Sequence, residues 1–307
     1  MNLNSSRMRP WQLIPATAII VVVLAIVSGC PDGSLLALID NGEPGDGGDG
    51  ATTYAMGDEG PAGGVVFYDK GNADNGWRYL EVAPVGSEIV HKPWGGFGHE
   101  VGGTAQHTAL GTGAHNTVAV SAEYGDADPF SFRDDYAARV CLGLQSGGYG
   151  DWFLPSRAEL ELLWETQNVM GIGPFPTGLH WTSTEIDGQF VWTRYMEDSS
   201  EDPSAKNMNE QEDTVIRAIR AFRSEHASYV VLYHPNDADG GVAPVDWRFY
   251  EPAEAIMVKH NEGGLHRAGF GLVGWRVGDR DAGPLVPPGT TITMGSSHLV
   301  LWAAWQD

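Results

Sequence analysis

Gly148-Tyr149-Gly150-Asp151-Trp152-Phe153-Leu154-Pro155-Ser156-Arg157-Ala158-Glu159 is the stretch on which the reading of the fold turns. Ser156 followed by Glu159 three residues later is a capping-box pattern, in which each side chain accepts the other residue's backbone N–H. Leu160, Leu163 and Trp164 then share one helical face. The pattern predicts a helix that starts at Ser156 and buries that face. Upstream, Phe132, Tyr136, Val140 and Leu144 repeat at helical spacing behind Ser131, with Cys141 beside the stripe. A second helix is predicted there. Strand-like runs cover 64–68, 77–82, 180–183, 190–196 and 215–222. In the last, Val215, Arg217, Ile219 and Ala221 alternate with Ile216, Ala218, Arg220 and Phe222, as in a β-strand. The glycines and tryptophans between these runs predict long ordered loops.

Past Ser224 the pattern changes. Short β candidates at 229–233, 247–250, 255–258, 271–277, 290–294 and 298–304 are separated by turn formers such as Asp239-Gly240 and Pro287-Pro288-Gly289. The expectation is an α+β chain with two modules, 54–224 and 227–307. The second is small and mostly β, and each is expected to fold by itself on its own apolar pattern.

The N-terminus has a different character. Arg7 and Arg9 precede an apolar run from Leu13 to Val27, and the run ends in Val27-Ser28-Gly29-Cys30. A basic start, a short apolar stretch and small residues before a cut describe a secretory signal over residues 1–29. The run is shorter than the roughly 20 apolar residues that span a bilayer. Its last four residues resemble the lipobox of bacterial lipoproteins, which implies that Cys30 receives diacylglycerol and becomes the new N-terminus. Residues 30–53 then read as a tether, with Asn41–Gly50 offering little to bury. The chain is thus expected in the cell envelope, held by lipid at the outer membrane or cell surface.

Removal of residues 1–29 takes away two arginines and no acid, which leaves 16 basic against 40 acidic side chains. Nucleic acid is therefore not an expected partner, because phosphate binding needs clustered Lys and Arg. With Cys30 lipidated, Cys141 has no partner for an internal disulfide, so stability must come from cores.

Two series of residues carry further resemblances. Gly60-Pro61-Ala62-Gly63-Gly64-Val65-Val66-Phe67-Tyr68, Gly76-Trp77-Arg78-Tyr79-Leu80-Glu81-Val82 and Gly111-Thr112-Gly113-Ala114-His115-Asn116-Thr117 lead to the Gly148–Ser156 string. His180-Trp181-Thr182-Ser183-Thr184-Glu185 and Ile216–Phe222 close the series. In order and spacing it resembles the C-terminal domain of the Legionella collagen-like adhesin family, also met as a Fibrobacter paralogous domain, over most of 54–224. That resemblance implies a fold similar to C-type lectin-like domains and to the formylglycine-generating enzyme superfamily. Tyr229–Tyr233, Ala268–Trp275, Ile292–Ser297 and Leu299–Trp305 resemble a single Listeria–Bacteroides repeat of the internalin B type, a small β-grasp-like module of bacterial surface proteins.

The resemblances imply binding rather than catalysis. Formylglycine-generating enzymes rely on reactive copper-binding cysteines, whereas Cys141 lies beside an apolar stripe, where a thiol stays inert. The Glu-Pro-Asn, Gln-Pro-Asp and Trp-Asn-Asp signatures of calcium-dependent lectins are missing from 54–224. Trp94 beside Gly95 and Gly96, and Asp151 with Trp152 at the helix entry, are the candidate ligand-binding residues. Ser156 lacks a nucleophile-elbow context and is explained by capping. His91, His99, His107 and His115 lack metal-ligand spacing, and Met196–Asp213 lacks the order of a calcium loop and reads as a solvated acidic hairpin tip. Trp275, Trp302 and Trp305 read as core. No metal, cofactor or catalytic residue is expected. The expected function is adhesin-like binding of carbohydrate or of an extracellular or host protein; the alternatives are a formylglycine-generating or sugar-modifying enzyme, or a purely structural envelope protein.

Overall fold

A computed structural model describes residues 52–125, 135–170, 176–208 and 213–307. The signal segment, Cys30, most of the tether and the Phe132 end of the expected second helix lie outside them.

In the first module the elements are β1 (Val65–Asp69), β2 (Tyr79–Val82), β3 (Ile89–Val90), α1 (Gly113–Tyr124), α2 (Ala137–Leu142) and α3 (Arg157–Met170). They continue with β4 (Leu179–Glu185), β5 (Phe190–Tyr195), β6 (Glu201–Ala205), β7 (Thr214–Ile216) and β8 (Ile219–Phe222). The second module contains β9 (Tyr229–His234), β10 (Asp246–Tyr250), β11 (Ala255–Met257), β12 (Gly271–Val277), β13 (Leu285–Val286), β14 (Thr291–Thr293) and β15 (Leu299–Gln306). The class is α+β, and strands dominate. Sheet order is β1-β2-β8 and β3-β7-β4-β5-β6 in the first module, and β10-β9-β15-β12-β13 with a separate β11-β14 pair in the second. Two pairings are parallel, β4 with β7 and β9 with β15.

Helix α3 starts as the capping box requires. Glu159 accepts the Ser156 backbone N–H at 2.7 Å, and Ser156 Oγ accepts that of Glu159 at 3.3 Å. Leu160 and Leu163 are buried below it. The run 215–222 is not one strand. It breaks at Arg217-Ala218, and its halves join different sheets. Ala83 N–H donates to the Ala218 carbonyl and Arg217 donates to the Ala83 carbonyl at 2.6 Å, so strand pairing on one side hands over to the other at this point.

Strand β9 joins the modules. Its sequence Tyr-Val-Val-Leu-Tyr-His is buried throughout, as expected of a strand covered on both faces. Alternation sends Val230 and Leu232 into the core built around Phe67, Trp94, Trp152 and Phe153. It sends Tyr229, Val231 and Tyr233 into a second core with Ile256, Trp275 and Leu301. Phe249 of β10 also belongs to the first core. The segment from Gly50 to Asp307 is consequently one compact unit. The boundary expected near 224–227 separates sheets, while the packing crosses it. Further ties cross the same boundary: His234 bonds Glu123 at 3.0 Å, and Arg223 pairs with Glu251 and Glu254.

Candidate functional site

The residues singled out in the sequence are placed first. Trp94 is 1% exposed and donates its indole N–H to the Thr182 carbonyl at 2.7 Å. Trp152 is fully buried and donates to the Tyr149 carbonyl. Asp151 is fully buried too; it pairs with Arg220 at 2.9 and 3.0 Å and accepts the Ser228 N–H at 2.8 Å. None of the three presents a face to a ligand, because each is committed to holding the core. Cys141 is buried in α2, and burial pushes its thiol upward, away from the thiolate. Trp275 is buried in the second core, Trp302 nearly so, and Trp305 packs against that core.

Of the four histidines, His107 and His115 come together at the Trp247 ring. His91 and His99 are exposed, His107 is half-buried and His115 is buried. No group of three His, Cys, Asp or Glu side chains among the described residues could hold a metal ion. In the 196–213 segment the turn before β6 is exposed, but Glu201 is drawn inward by Arg157 at 2.7 Å and Arg194 at 2.6 Å. Lys206, read as part of the same tip, is fully buried on Glu185 at 2.5 Å, and Glu185 also accepts the N–H groups of Val101 and Gly102.

The structure brings another set of residues together. An open cleft of about 620 Å³ lies where β10 packs against the first module, and its walls include Tyr68, Lys70, Asn75, Trp77, His107 and Trp247. Aromatic surface beside a few polar groups is the usual composition of a small-molecule site. Each wall has a local cause. Trp77 follows the short turn Asp74–Gly76, and Gly76 sits at φ +74° with the Phe249 carbonyl where a Cβ would be, 1.9 Å away. Only glycine allows β10 this close. Trp247 lies in β10 where the register against β9 shifts between Asp246 and Phe249, and such irregularities re-aim side chains. Its ring meets His107 edge-on at 4.7 Å and His115 at 4.9 Å.

The loop that carries His107 is pinned from α1. Asn116 donates to the His107 carbonyl at 2.7 Å and accepts its N–H at 3.3 Å, and Thr184 donates to the same carbonyl at 2.9 Å. Burial lowers the proton affinity of both histidines, that of His115 to about 4, so both stand neutral at pH 7. His115 Nε2 faces the Asp246 carbonyl. Lys70 lies over the Trp77 ring, 4.1 Å from its centroid. Trp77 is 4% exposed and floors the cleft beneath Lys70, so the open stacking face is the half-buried Trp247 ring, with amides, an imidazole and one ammonium beside it. Of its members, reading the sequence flagged only His107, and as part of a histidine series. Trp77 read as the start of a strand and Trp247 as a β residue, and nothing local says that they meet.

No protein-family model matches the chain. It is 35% identical over 79 residues to a protein of Evansella cellulosilytica named "Putative membrane protein"; the match covers 25% of this chain and 11% of that one. The chain therefore spans about a tenth of that relative's length. Among the described residues no helix is long and apolar enough to cross a membrane.

Proposed function

We propose that the protein is a lipid-anchored envelope protein that binds carbohydrate without transforming it, and that the cleft walled by Trp77 and Trp247 is its binding site. The observation that carries this reading is the half-buried Trp247 ring beside polar groups in an open cleft floored by Trp77. Sugar rings present C–H faces that pack on aromatic planes, and their hydroxyls need nearby donors and acceptors. The resemblance of 54–224 to an adhesin domain of C-type lectin-like fold, and of 227–307 to an internalin B-type repeat, supports a surface role. The α+β architecture is compatible with both.

The compact segment Gly50–Asp307, applied to a glycan array, is expected to retain a subset of glycans. Trp247→Ala should weaken that binding by at least about tenfold, as for truncation of a central aromatic contact. Trp247→Phe should keep part of it. Thermal melts of each variant show that the fold is intact. An empty array, or retention unchanged in a folded Trp247→Ala protein, would overturn the reading.

Anchoring rests on the Val27-Ser28-Gly29-Cys30 sequence, and the name of the Evansella relative fits a membrane location. In cells fed a fatty-acid analogue, the full chain should take up label and Cys30→Ala should not, because only the thiol can accept the diacylglycerol. Equal labelling of both would remove the lipid anchor.

A further inference from the structure

This inference rests on the carbohydrate reading and narrows it. The chain carries 40 Asp and Glu against 18 Lys and Arg, yet none of the residues that line the cleft is acidic. Its one formally cationic lining residue is Lys70. The other nearby charges are already used or act at a distance. Asp69 is bound to Arg78 through two bonds of 2.8 and 2.9 Å, and the exposed Asp74 carboxylate attracts Lys70 at a distance. The Lys70 ammonium donates instead to the Asp74 backbone carbonyl and rests on the Trp77 ring. The Asp74 carboxylate offsets part of its charge, but the ammonium's own contacts are to a carbonyl and a ring. Its position is fixed by the loop beneath it, where Lys70 N–H donates to the Arg78 carbonyl and Gly71 N–H to Asp69.

We propose that the cleft takes a saccharide unit bearing a carboxylate, a uronic acid, with the sugar face on the half-buried Trp247 ring and its carboxylate on the Lys70 ammonium. An ammonium has three donors and no acceptor, and Lys70 spends one on Asp74. A carboxylate offers two acceptor oxygens and the opposite charge. A neutral sugar would use the same Trp247 surface but gain nothing from the ammonium's charge. The acidic surface elsewhere on the protein opposes this ligand only at long range, since the Debye length is about 8 Å at physiological salt.

The probe is tetragalacturonate, compared with its methyl ester, which keeps the sugar skeleton and removes the charge. Binding to Gly50–Asp307 is followed by tryptophan fluorescence and calorimetry in 0.15 M salt, as is common at that ionic strength. The acid is expected to bind about tenfold more tightly than the ester, the size of one part-buried charged hydrogen bond. Lys70→Met removes the ammonium and should erase the difference between acid and ester; Lys70→Arg should restore it. Equal affinity for acid and ester, an acid preference that survives Lys70→Met, or failure of both forms to bind overturns the inference. Neutral glycans held on the array through Trp247 would then leave the carbohydrate reading standing, and an array with no retained glycan would end both.

Discussion

Replacing Arg220 by methionine is expected to destabilise the protein by about 3–5 kcal/mol, the usual cost of removing one member of a buried ion network. Arg220 on β8 is fully buried. Its guanidinium pairs with Asp151 at 2.9 and 3.0 Å, with Glu81 at 3.2 Å, and donates to the His226 carbonyl at 3.1 Å. Tyr149 covers it at 4.0 Å. Glu81 in turn accepts the N–H groups of Gly64 at 2.8 Å and Ala62 at 3.1 Å, and Asp151 accepts that of Ser228. One arginine therefore holds the turn before β1, strand β2, the Gly148–Asp151 turn and the entry to β9. Without it two buried carboxylates stand uncompensated, and burial already drives the Glu81 carboxyl upward. Urea unfolding measures the loss. Arg220→Met combined with Glu81→Gln and Asp151→Asn should recover a large part of it, because the stranded charges are gone. A single-variant loss below about 1 kcal/mol would mean that the network contributes no more than an exposed ion pair.

Glu159→Gln is the second large expected effect, a loss of about 2–3 kcal/mol, since it turns one of two buried acceptor oxygens into an amide NH2 that faces a backbone donor and leaves that donor unanswered. The carboxylate serves two helices at once. It caps α3 through Ser156 and also accepts the Gly111 N–H at 2.8 Å, just ahead of α1. A Cβ on Gly113, the first residue of α1, would lie 2.2 Å from Glu159 Oε2, so only glycine permits the approach. Burial pushes this carboxyl up to about 7 from an ordinary 4.5, against the lowering effect of its N–H donors. Its native form thus binds a proton more tightly than the unfolded chain does. The stability linked to that proton is complete below about pH 4.5 and is lost as pH rises through 7. Between pH 5 and 8 the melting temperature of the native protein should fall relative to that of Glu159→Gln. A native curve that runs parallel to the variant's over this range would show that the carboxylate is ionised throughout.

The sequence disclosed those parts of the fold whose causes are local. The capping box set the start of α3, and alternation with turn residues marked six strands of the second module to within a residue or two. Helix α1 was not anticipated because Gly113–Val120 is buried on every side. A helix with no wet face shows no amphipathic period. The 215–222 run kept an unbroken alternation while changing sheets, so pattern alone could not reveal the break. Asp151 and Trp152 looked like site residues because a polar group and an aromatic ring lay beside a helix entry. The true partner of Asp151, Arg220, is far along the chain and reads there as one more alternating position, while Trp152 is held by the Tyr149 carbonyl. The cleft depends on Trp77 and Trp247 meeting across the β10 contact, which no local pattern encodes.

The two-faced strand β9 also bears on how such a protein could be reshuffled during evolution. A recombination joint between Ser224 and Ala227 looks clean on the gene, since it falls between two recognisable modules. It would nevertheless carry off Val230, Leu232 and Phe249 and leave α1 facing water. A donor second module would be accepted only if its first strand brought apolar residues at the 230 and 232 positions, whatever it presented on its other face. Lineages that exchange this module should therefore preserve every second residue of its opening strand and vary the rest, and that asymmetry would be visible in a set of natural hybrids before any was crystallised.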